Sequence, residues 1–352
     1  MDAYKEYVTL GYAELDTLGE LDMLPYVAVD VTRICFSALD YDPWELLRAV
    51  RAEMPHTPLA LTLAGQCLTS DRVMADDVVE SFVTRAVENG ISEFRIYDPL
   101  NDPRNLQTAV SAAKKSGARV HAGMVFTKNP AYSPAFFAGY AAQLAALGAD
   151  TVWLLSMSDE FSCRDTVTAV KDAVGLPVGV ASDSSAICDI AIDAGADHYE
   201  IDTVAPLPEE YSREIERIRE DAGFPPLYGF IRDIIAEQAA KNHPSGVYSE
   251  VTVRFKELLL GKYGRTPCPI SQTLVSEVCG GEALVLVRPA DLITPELDDL
   301  AEAVAAYAEQ DEDVLTYALF RDEAIGFFVK RNAKRYFLDL PHAHAEKGIH
   351  TV

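Results

Sequence analysis

The chain has 352 residues, 49% of them hydrophobic, which is enough for one large α/β domain and a smaller appended unit. Its formal net charge of −25 argues against binding to a phosphate backbone, which requires clustered Lys and Arg. No run approaches the roughly 18 apolar residues of a membrane helix, and Met1–Thr9 leads into no apolar signal segment. The six cysteines form no C-x-x-C pair, as is typical of reduced thiols. We expect a cytoplasmic protein that binds neither nucleic acid nor membrane.

The first predicted elements are irregular. Residues 1–26 predict helix and loop, without a clear β-branched strand. Asp42 then serves as the N-cap, and Pro43 as the first residue, of a helix over Trp44–Arg51.

From residue 57 onward, apolar strand patterns alternate evenly with helical ones. The predicted strands are Leu59–Leu63, Glu93–Tyr97, Arg119–Phe126, Thr151–Leu155, Pro177–Ala181 and His198–Val204. The predicted helices are Ala75–Asn89, Asn105–Ser116, Ala135–Leu147, Arg164–Val174 and Ala186–Ala194, several ending on a glycine: Gly90, Gly117, Gly148, Gly175 and Gly195. Such alternation indicates a parallel sheet covered by helices. No G-x-G-x-x-G follows a strand, and about seven units favour a TIM-type (β/α)8 barrel with an incomplete first unit.

The alternation of strand and helix patterns ends after Val204. Four prolines, at 206, 208, 225 and 226, surround an acidic helix over Glu209–Glu220. The remainder is mostly helical. We predict a barrel over 1–206, a shortened connection over 207–226, a helical C-terminal domain over 227–334 and a tail over 335–352.

Several stretches in this order resemble the biotin-dependent carboxyltransferases: the carboxyltransferase domain of pyruvate carboxylase, the α subunit of oxaloacetate decarboxylase and the 5S subunit of transcarboxylase. The stretches are Asp42–Glu45, Ala75–Val79, Phe94–Asp102, Arg104–Leu106, Gly261–Pro267, Arg288–Asp291 and Glu312–Phe320. Each is weak by itself, and together they are specific. The resemblance implies a barrel in which a divalent metal polarises a keto acid, an Arg holds the acid's carboxylate and a Thr moves a proton to or from carboxybiotin.

Checked position by position, the chain departs from the residues that the resemblance implies. Leu155 takes the place of the carbamylated Lys, while Ala181 and Asp183 take the places of the two metal-binding His. Ala64 takes the place of the Arg that holds the keto acid. The first-strand Asp motif is absent before residue 40, and the Gly-Thr-Ser-Gln-Pro motif has no counterpart after Ala205. We therefore predict no intact catalytic residue, no metal and no cofactor.

Polar residues remain at the predicted strand ends, where barrel enzymes place their chemistry. They form a predicted vestigial pocket of Gln66, Asp98, Asn101, Thr127, Ser156 and Asp183. A structural interpretation is also open: Arg95, Asp98 and Asp102 could knit a βα loop.

Two functional hypotheses follow from the resemblance. The first is a barrel subunit with lost metal, keto-acid and biotin sites. Its role is structural or regulatory in a biotin-dependent carboxylase, decarboxylase or transcarboxylase assembly. Its partner would be a second copy or an intact carboxyltransferase homologue, with a biotin carrier subunit as a further candidate. The alternative is an active carboxyltransferase on pyruvate, oxaloacetate or a related small acid, or a repurposed barrel lyase.

A shortened entrance to the barrel would expose apolar surface around Phe224–Ile235.

Overall fold

The computed structural model describes residues 5–127, 129–202 and 207–339. The strands are β1 (Lys5–Glu6), β2 (Val8–Thr9), β3 (Val29–Asp30), β4 (Leu59–Leu63), β5 (Glu93–Tyr97), β6 (Arg119–Val125), β7 (Thr151–Leu155), β8 (Val178–Ser182) and β9 (His198–Ile201). Eight helices accompany them: α1 (Leu18–Leu21), α2 (Thr32–Phe36), α3 (Pro43–Glu53), α4 (Asp76–Glu88), α5 (Gln107–Lys115), α6 (Pro134–Leu147), α7 (Glu160–Ala173) and α8 (Ser185–Asp193). Seven more follow: α9 (Ser212–Asp221), α10 (Gly229–Ser245), α11 (Val253–Leu259), α12 (Gln272–Cys279), α13 (Leu297–Val304), α14 (Glu312–Phe320) and α15 (Asp322–Asp339).

All strand pairs are parallel, and their order is β1-β9-β8-β7-β6-β5-β4-β3-β2. The two ends of this order, β1 and β2, are neighbouring segments of the chain. β1 pairs with β9 and β2 pairs with β3, so residues 5–9 form one strand interrupted at Tyr7. The Tyr7 amide donates to Tyr199 O at 2.9 Å, and the Val8 amide donates to Ala28 O at 3.2 Å. The sheet is therefore an eight-stranded barrel, as predicted, but its first unit is complete. The prediction of only helix and loop over 1–26 was wrong.

The βα units agree closely with their sequence patterns. The bounds of β4, β5 and β7 are those predicted, and α4 to α8 lie within a few residues of the predicted helices. Asp42 caps α3 by accepting the amides of Trp44 at 3.0 Å and Glu45 at 3.1 Å. Four of the five predicted capping glycines have positive φ, and Gly175 does not.

Apolar side chains between strands and helices form the main core, which α13 and α14 join through Leu300, Leu315 and Ala318. Helices α9 to α12 pack around a second apolar cluster, which includes Ile218, Ile234 and Phe255. None of the described helices has the length and apolar character needed to cross a bilayer.

The domain boundaries at 206, 226 and 334 stay predictions. Residues 203–204 of the last predicted strand and residues 340–352 of the predicted tail lie outside the described residues.

Candidate functional site at the barrel mouth

A buried ion pair lies inside the barrel. Arg95 is in the middle of β5, level with Thr62 of β4 and His121 of β6. Its Nη1 donates to Glu200 Oε2 of β9 at 2.5 Å, and both side chains are at most 3% exposed. Burial by itself would lower the pKa of Arg95, but the carboxylate of Glu200 raises it above the usual value. The guanidinium therefore stays charged inside the barrel.

Two aromatic rings hold the guanidinium of Arg95. Its Cζ lies 3.7 Å from the ring centroid of Tyr7 and 4.5 Å from that of Trp153. Cation–π contacts of this kind stabilise a charge that is removed from water.

A second carboxylate, that of Asp30 on β3, completes this polar layer. It is fully buried and accepts Tyr7 Oη at 3.0 Å, Thr62 Oγ1 at 2.5 Å and the Thr32 amide at 2.8 Å. Glu200 also accepts Thr9 Oγ1, at 2.7 Å. Burial raises the pKa of Glu200 above its ordinary value. Hydrogen-bond donors thus surround both carboxylates, as buried charges require.

Three of the four positions that the sequence predicts to be replaced meet in one apolar cluster. Ala64, Leu155 and Ala181 are each at most 7% exposed and pack with Cys67, Tyr97, Val125 and the other apolar side chains that line the barrel interior. Gly123 makes room for Leu155, because a Cβ on Gly123 would lie 2.6 Å from Leu155 Cδ1. The residue types at these positions thus pack against one another and present no polar atom.

The start of α10 covers this cluster. Tyr228 and Phe230 pack against it, and the rings of Tyr228 and Tyr97 meet edge to face at 5.2 Å. Gly229 has φ 55°, and a Cβ there would lie 2.8 Å from Tyr97 Oη. The expectation of exposed apolar surface around Phe224–Ile235 was wrong: Ile231, Ile234 and Ile235 are fully buried in the second apolar cluster, and Tyr228 and Phe230 pack over the mouth.

A cavity of about 670 Å³ remains beside this cover. Its wall includes Asp30, Thr62 and Arg95 from the polar layer, and Tyr228 and Phe230 from the cover. Arg33 and Asp202 lie at its rim and pair at 3.3 Å, with Arg33 54% exposed. The volume is in the range of small-molecule sites.

The six residues of the predicted vestigial pocket lie in separate places. Ser156 and Asp183 line one cavity of about 50 Å³, while Thr127 lines another of about 300 Å³. Gln66 is buried and donates to Met74 O and Asp76 Oδ1, at 3.0 and 2.9 Å. Asn101 holds β6 through Val125, donating to its carbonyl at 2.9 Å and accepting its amide at 2.8 Å. The structure therefore brings together only Ser156 and Asp183.

Asp98 and Asp102 hold the loop after β5 together through hydrogen bonds. Asp98 accepts the amides of Leu100 and Asp102 and Nδ2 of Asn105, all within 2.9 Å. Burial raises the pKa of Asp98 to about 7, against these donors. Arg95, which we considered part of the same loop, instead points into the barrel toward Glu200.

The residues present do not fit the metal that the resemblance implies. Leu155 and Ala181 offer no donor atom, and Asp183 is exposed. Within residues 5–127, 129–202 and 207–339, no three His, Cys, Asp or Glu side chains lie where they could share an ion.

Comparison with known proteins decides the family. The chain is 27% identical to the methylmalonyl-CoA carboxyltransferase 5S subunit of Propionibacterium freudenreichii subsp. shermanii, over 94% of this chain and 86% of that protein. It is 29% identical to a pyruvate carboxylase subunit of Methanocaldococcus jannaschii, over 83% of this chain and 68% of the relative. Residues 209–351 match the model of a conserved carboxylase domain. The chain is a carboxyltransferase-family barrel.

The fold of this carboxyltransferase-family barrel agrees with a solved relative. The carboxyl transferase domain of Rhizobium etli pyruvate carboxylase superposes with a TM-score of 0.82 at 16% identity, covering 94% of this chain and 78% of that domain. The family-model match falls on the helical segment after the barrel, whereas the structural match spans both parts.

Our sequence interpretation missed the polar layer of Asp30, Thr62, Arg95 and Glu200 in this carboxyltransferase-family barrel. One signal was present. Arg95 and Glu200 are charged residues in the middle of strand patterns, and a charge on a buried strand needs a partner.

Proposed function

We propose that this carboxyltransferase-family barrel is a non-catalytic subunit with a structural or regulatory role in a biotin-dependent carboxylase, decarboxylase or transcarboxylase assembly. Its partner would be a second copy or an intact homologue, with a biotin carrier subunit as a further candidate. The scaffold persists because packing of the core and chemistry of the site are largely separate demands on a sequence.

One observation carries the proposal: Ala64, Leu155 and Ala181 pack in a single apolar cluster beneath Tyr228 and Phe230. These are the positions at which the family resemblance calls for the carboxylate-binding Arg, the carbamylated Lys and a metal-binding His. Neither a metal nor a planar carboxylate gains a bond from methyl groups.

The names of the relatives support the second half of the proposal. One is a 5S subunit and another is a subunit of pyruvate carboxylase, so relatives of this chain are parts of larger assemblies. All six cysteines of the chain are free, as expected for a cytoplasmic assembly.

A carboxyl-exchange assay tests the absence of catalysis. The purified chain is incubated with oxaloacetate and free biotin, and pyruvate release is followed by a coupled assay. The carboxyl transferase domain of Rhizobium etli pyruvate carboxylase serves as the positive control. We expect no release above the protein-free blank, whereas biotin-dependent turnover by the chain would overturn the proposal.

Leu155→Lys provides a sharper version of the same test. One lysine restores one donor group, while Ala181 and Ala64 still lack theirs, so we expect this variant to be as inactive as the parent. Recovery of exchange in this single variant would show that the remaining site is functional.

A further inference from the structure

A short apolar segment after the barrel is exposed and belongs to none of the described helices or strands. Residues 283–287, which we call the 283–287 segment, have the sequence Ala-Leu-Val-Leu-Val. Leu284 and Leu286 are 47% and 75% exposed, whereas Val285 between them is partly buried. Exposure that alternates in this way indicates an extended backbone, whose successive side chains point in opposite directions.

The backbone of this segment has unpaired amides. Val285 donates its amide to Leu260 O at 2.8 Å, and Leu286 O accepts Arg104 Nη1 at 3.0 Å. Within the described part of the chain, the amides of Leu284 and Leu286 have no acceptor. In an extended chain the N–H groups of successive residues point to opposite sides. The amides of Leu284 and Leu286 therefore point away from Leu260.

Such a segment is suited to pair with a second strand. Valine is enriched in strands because its branched side chain packs well on a pleated surface. A row of unpaired backbone groups beside apolar side chains is the surface to which another extended chain adds.

The sequence favours a second copy of the same segment as that chain. When two copies run antiparallel about Val285, Leu284 of one lies opposite Leu286 of the other, and Glu282 lies opposite Arg288. The unpaired amides of the two leucines then face carbonyls of the second copy, while the two Val285 residues form a non-hydrogen-bonded pair at the centre. This register places apolar side chains opposite apolar ones and an acid opposite a base.

The charged ends of the segment set the direction of pairing more than its strength. Glu282 already contacts Lys256, and Arg288 already contacts Asp76, so an exposed cross-strand pair adds little energy. A parallel pair, however, would place the two Glu282 carboxylates opposite one another, which is unfavourable.

The charge of the surrounding stretch also suits a second copy. Residues 250–292 contain five Lys or Arg and five Asp or Glu, so this stretch is neutral in a chain with a net charge of −25. Two copies that meet through it bring together a neutral part of an acidic chain, where their repulsion is weaker.

We propose that the chain forms a symmetric dimer by antiparallel pairing of two 283–287 segments, with Val285 on the twofold axis. Because the same surface serves both copies, the contact closes after two chains. The inference rests on the proposed function in one respect, the choice of a second copy as partner, and adds the contact through which that copy is held.

Disulfide formation tests the register. The Cα atoms of a non-hydrogen-bonded pair lie about 4.5 Å apart, within the range that a disulfide spans, so Val285→Cys should cross-link two copies under mild oxidation. Val287→Cys is the matched control, because position 287 is 48% exposed. In this register its two copies lie about 14 Å apart, which is too far for a disulfide. Both variants are made in the Cys268→Ser chain, since the other five cysteines are buried.

Hydrogen exchange of the unmodified chain gives a second readout, which does not depend on the folding of any variant. At a concentration at which light scattering shows a dimer, residues 282–288 should exchange about tenfold or more slowly than in the dilute monomer. The exposed segment around Met23 is the internal control and should exchange equally at both concentrations.

Three results would overturn the proposal. The first is a chain that stays monomeric at about 100 μM. The second is a folded Val285→Cys variant that cross-links no better than Val287→Cys. The third is a dimer in which exchange of residues 282–288 is unchanged. None of them alters the carboxyl-exchange assay, and the proposed function retains an intact homologue as partner, so failure of this contact is distinguishable from failure of that function.

Discussion

At the scale of single residues, Arg95 and Glu200 stabilise the barrel only as a pair. Each removes a charge from water, and the cost of doing so is recovered through their mutual contact, the hydroxyl of Thr9 and the two aromatic rings. If one charge is neutralised, the other stays buried without compensation.

We therefore expect Glu200→Gln to lower the free energy of unfolding by about 3–5 kcal/mol, since it leaves the buried guanidinium of Arg95 uncompensated. Urea unfolding followed by circular dichroism measures the change. Glu80→Gln is the control, because Glu80 pairs with Lys115 at 3.6 Å on the exposed surface, and we expect less than about 0.5 kcal/mol there. A loss at position 200 as small as the control's would contradict the uncompensated charge.

The pair of Arg95 and Glu200 shows which buried contacts can be predicted from the sequence alone and which cannot. A charged residue inside an apolar strand pattern indicates a buried polar contact, so Arg95 could have been identified as such. Its partner is 105 positions away, and nothing local to either strand links them. The assignment of Ala64, Leu155 and Ala181 as replaced family positions stays a prediction, because it depends on residue identity within short motifs.

At the scale of elements, strand prediction succeeded where the local pattern is strong. β4, β5 and β7 each have five mostly apolar residues between clear breaks, and their bounds were predicted. The first strand failed because it consists of two segments of two residues each, β1 and β2, separated by Tyr7. Its place depends on pairing with β9 and β3, which is a long-range property of the closed barrel.

The surroundings of two glycines, one on a barrel strand and one on an outer helix, predict opposite effects of alanine on stability. A Cβ on Gly179 of β8 would lie 2.4 Å from two ring atoms of Trp153, whereas a Cβ on Gly139 of α6 would meet nothing within 4 Å. We expect Gly179→Ala to destabilise the fold by about 1–3 kcal/mol through overpacking. Gly139→Ala should stabilise it by about 0.5–1 kcal/mol, because alanine loses less backbone entropy in a helix. Thermal unfolding of both variants checks this.

The critical result is the sign of each variant's change in stability relative to the parent. If Gly179→Ala were as stable as the parent, the ring of Trp153 would have room to move, and the fixed stack on Arg95 would be in doubt. A loss of stability in Gly139→Ala would mean that this helix position makes contacts that its open surroundings do not indicate.

At the scale of the whole molecule, several exposed apolar side chains lie together in the segment 284–292. Leu284, Leu286, Val287 and Leu292 are between 47% and 75% exposed and form what we call the 284–292 patch. A cavity of about 470 Å³ lies beside it, lined in part by Val285, Pro289 and Ile293. Contiguous apolar side chains of this kind usually mark interfaces, and covering them contributes roughly 25 cal/mol per Å² before association costs.

We predict that the chain associates, and that salt distinguishes its partners. Two copies, each with a charge of −25, repel one another most strongly at low ionic strength. If the partner is a second copy, the complex tightens as salt screens the repulsion, whereas a complex with a basic partner loosens. Light scattering of the purified chain across a salt series measures the first case, and recovery of partners from its own cell extract at several salt concentrations measures the second.

Substitution within the 284–292 patch locates the contact. Leu286→Glu places a charge on its most exposed side chain, 75% exposed, and should weaken association by at least about tenfold, because a charge in a desolvated contact stays unpaired. Met23→Glu is the matched control, since Met23 is 79% exposed on another part of the surface and should leave association unchanged. Equal weakening in both variants would indicate that added negative charge, rather than the patch, governs association. A chain that is monomeric at micromolar concentration in every salt and recovers no partner would contradict the role of an assembly subunit.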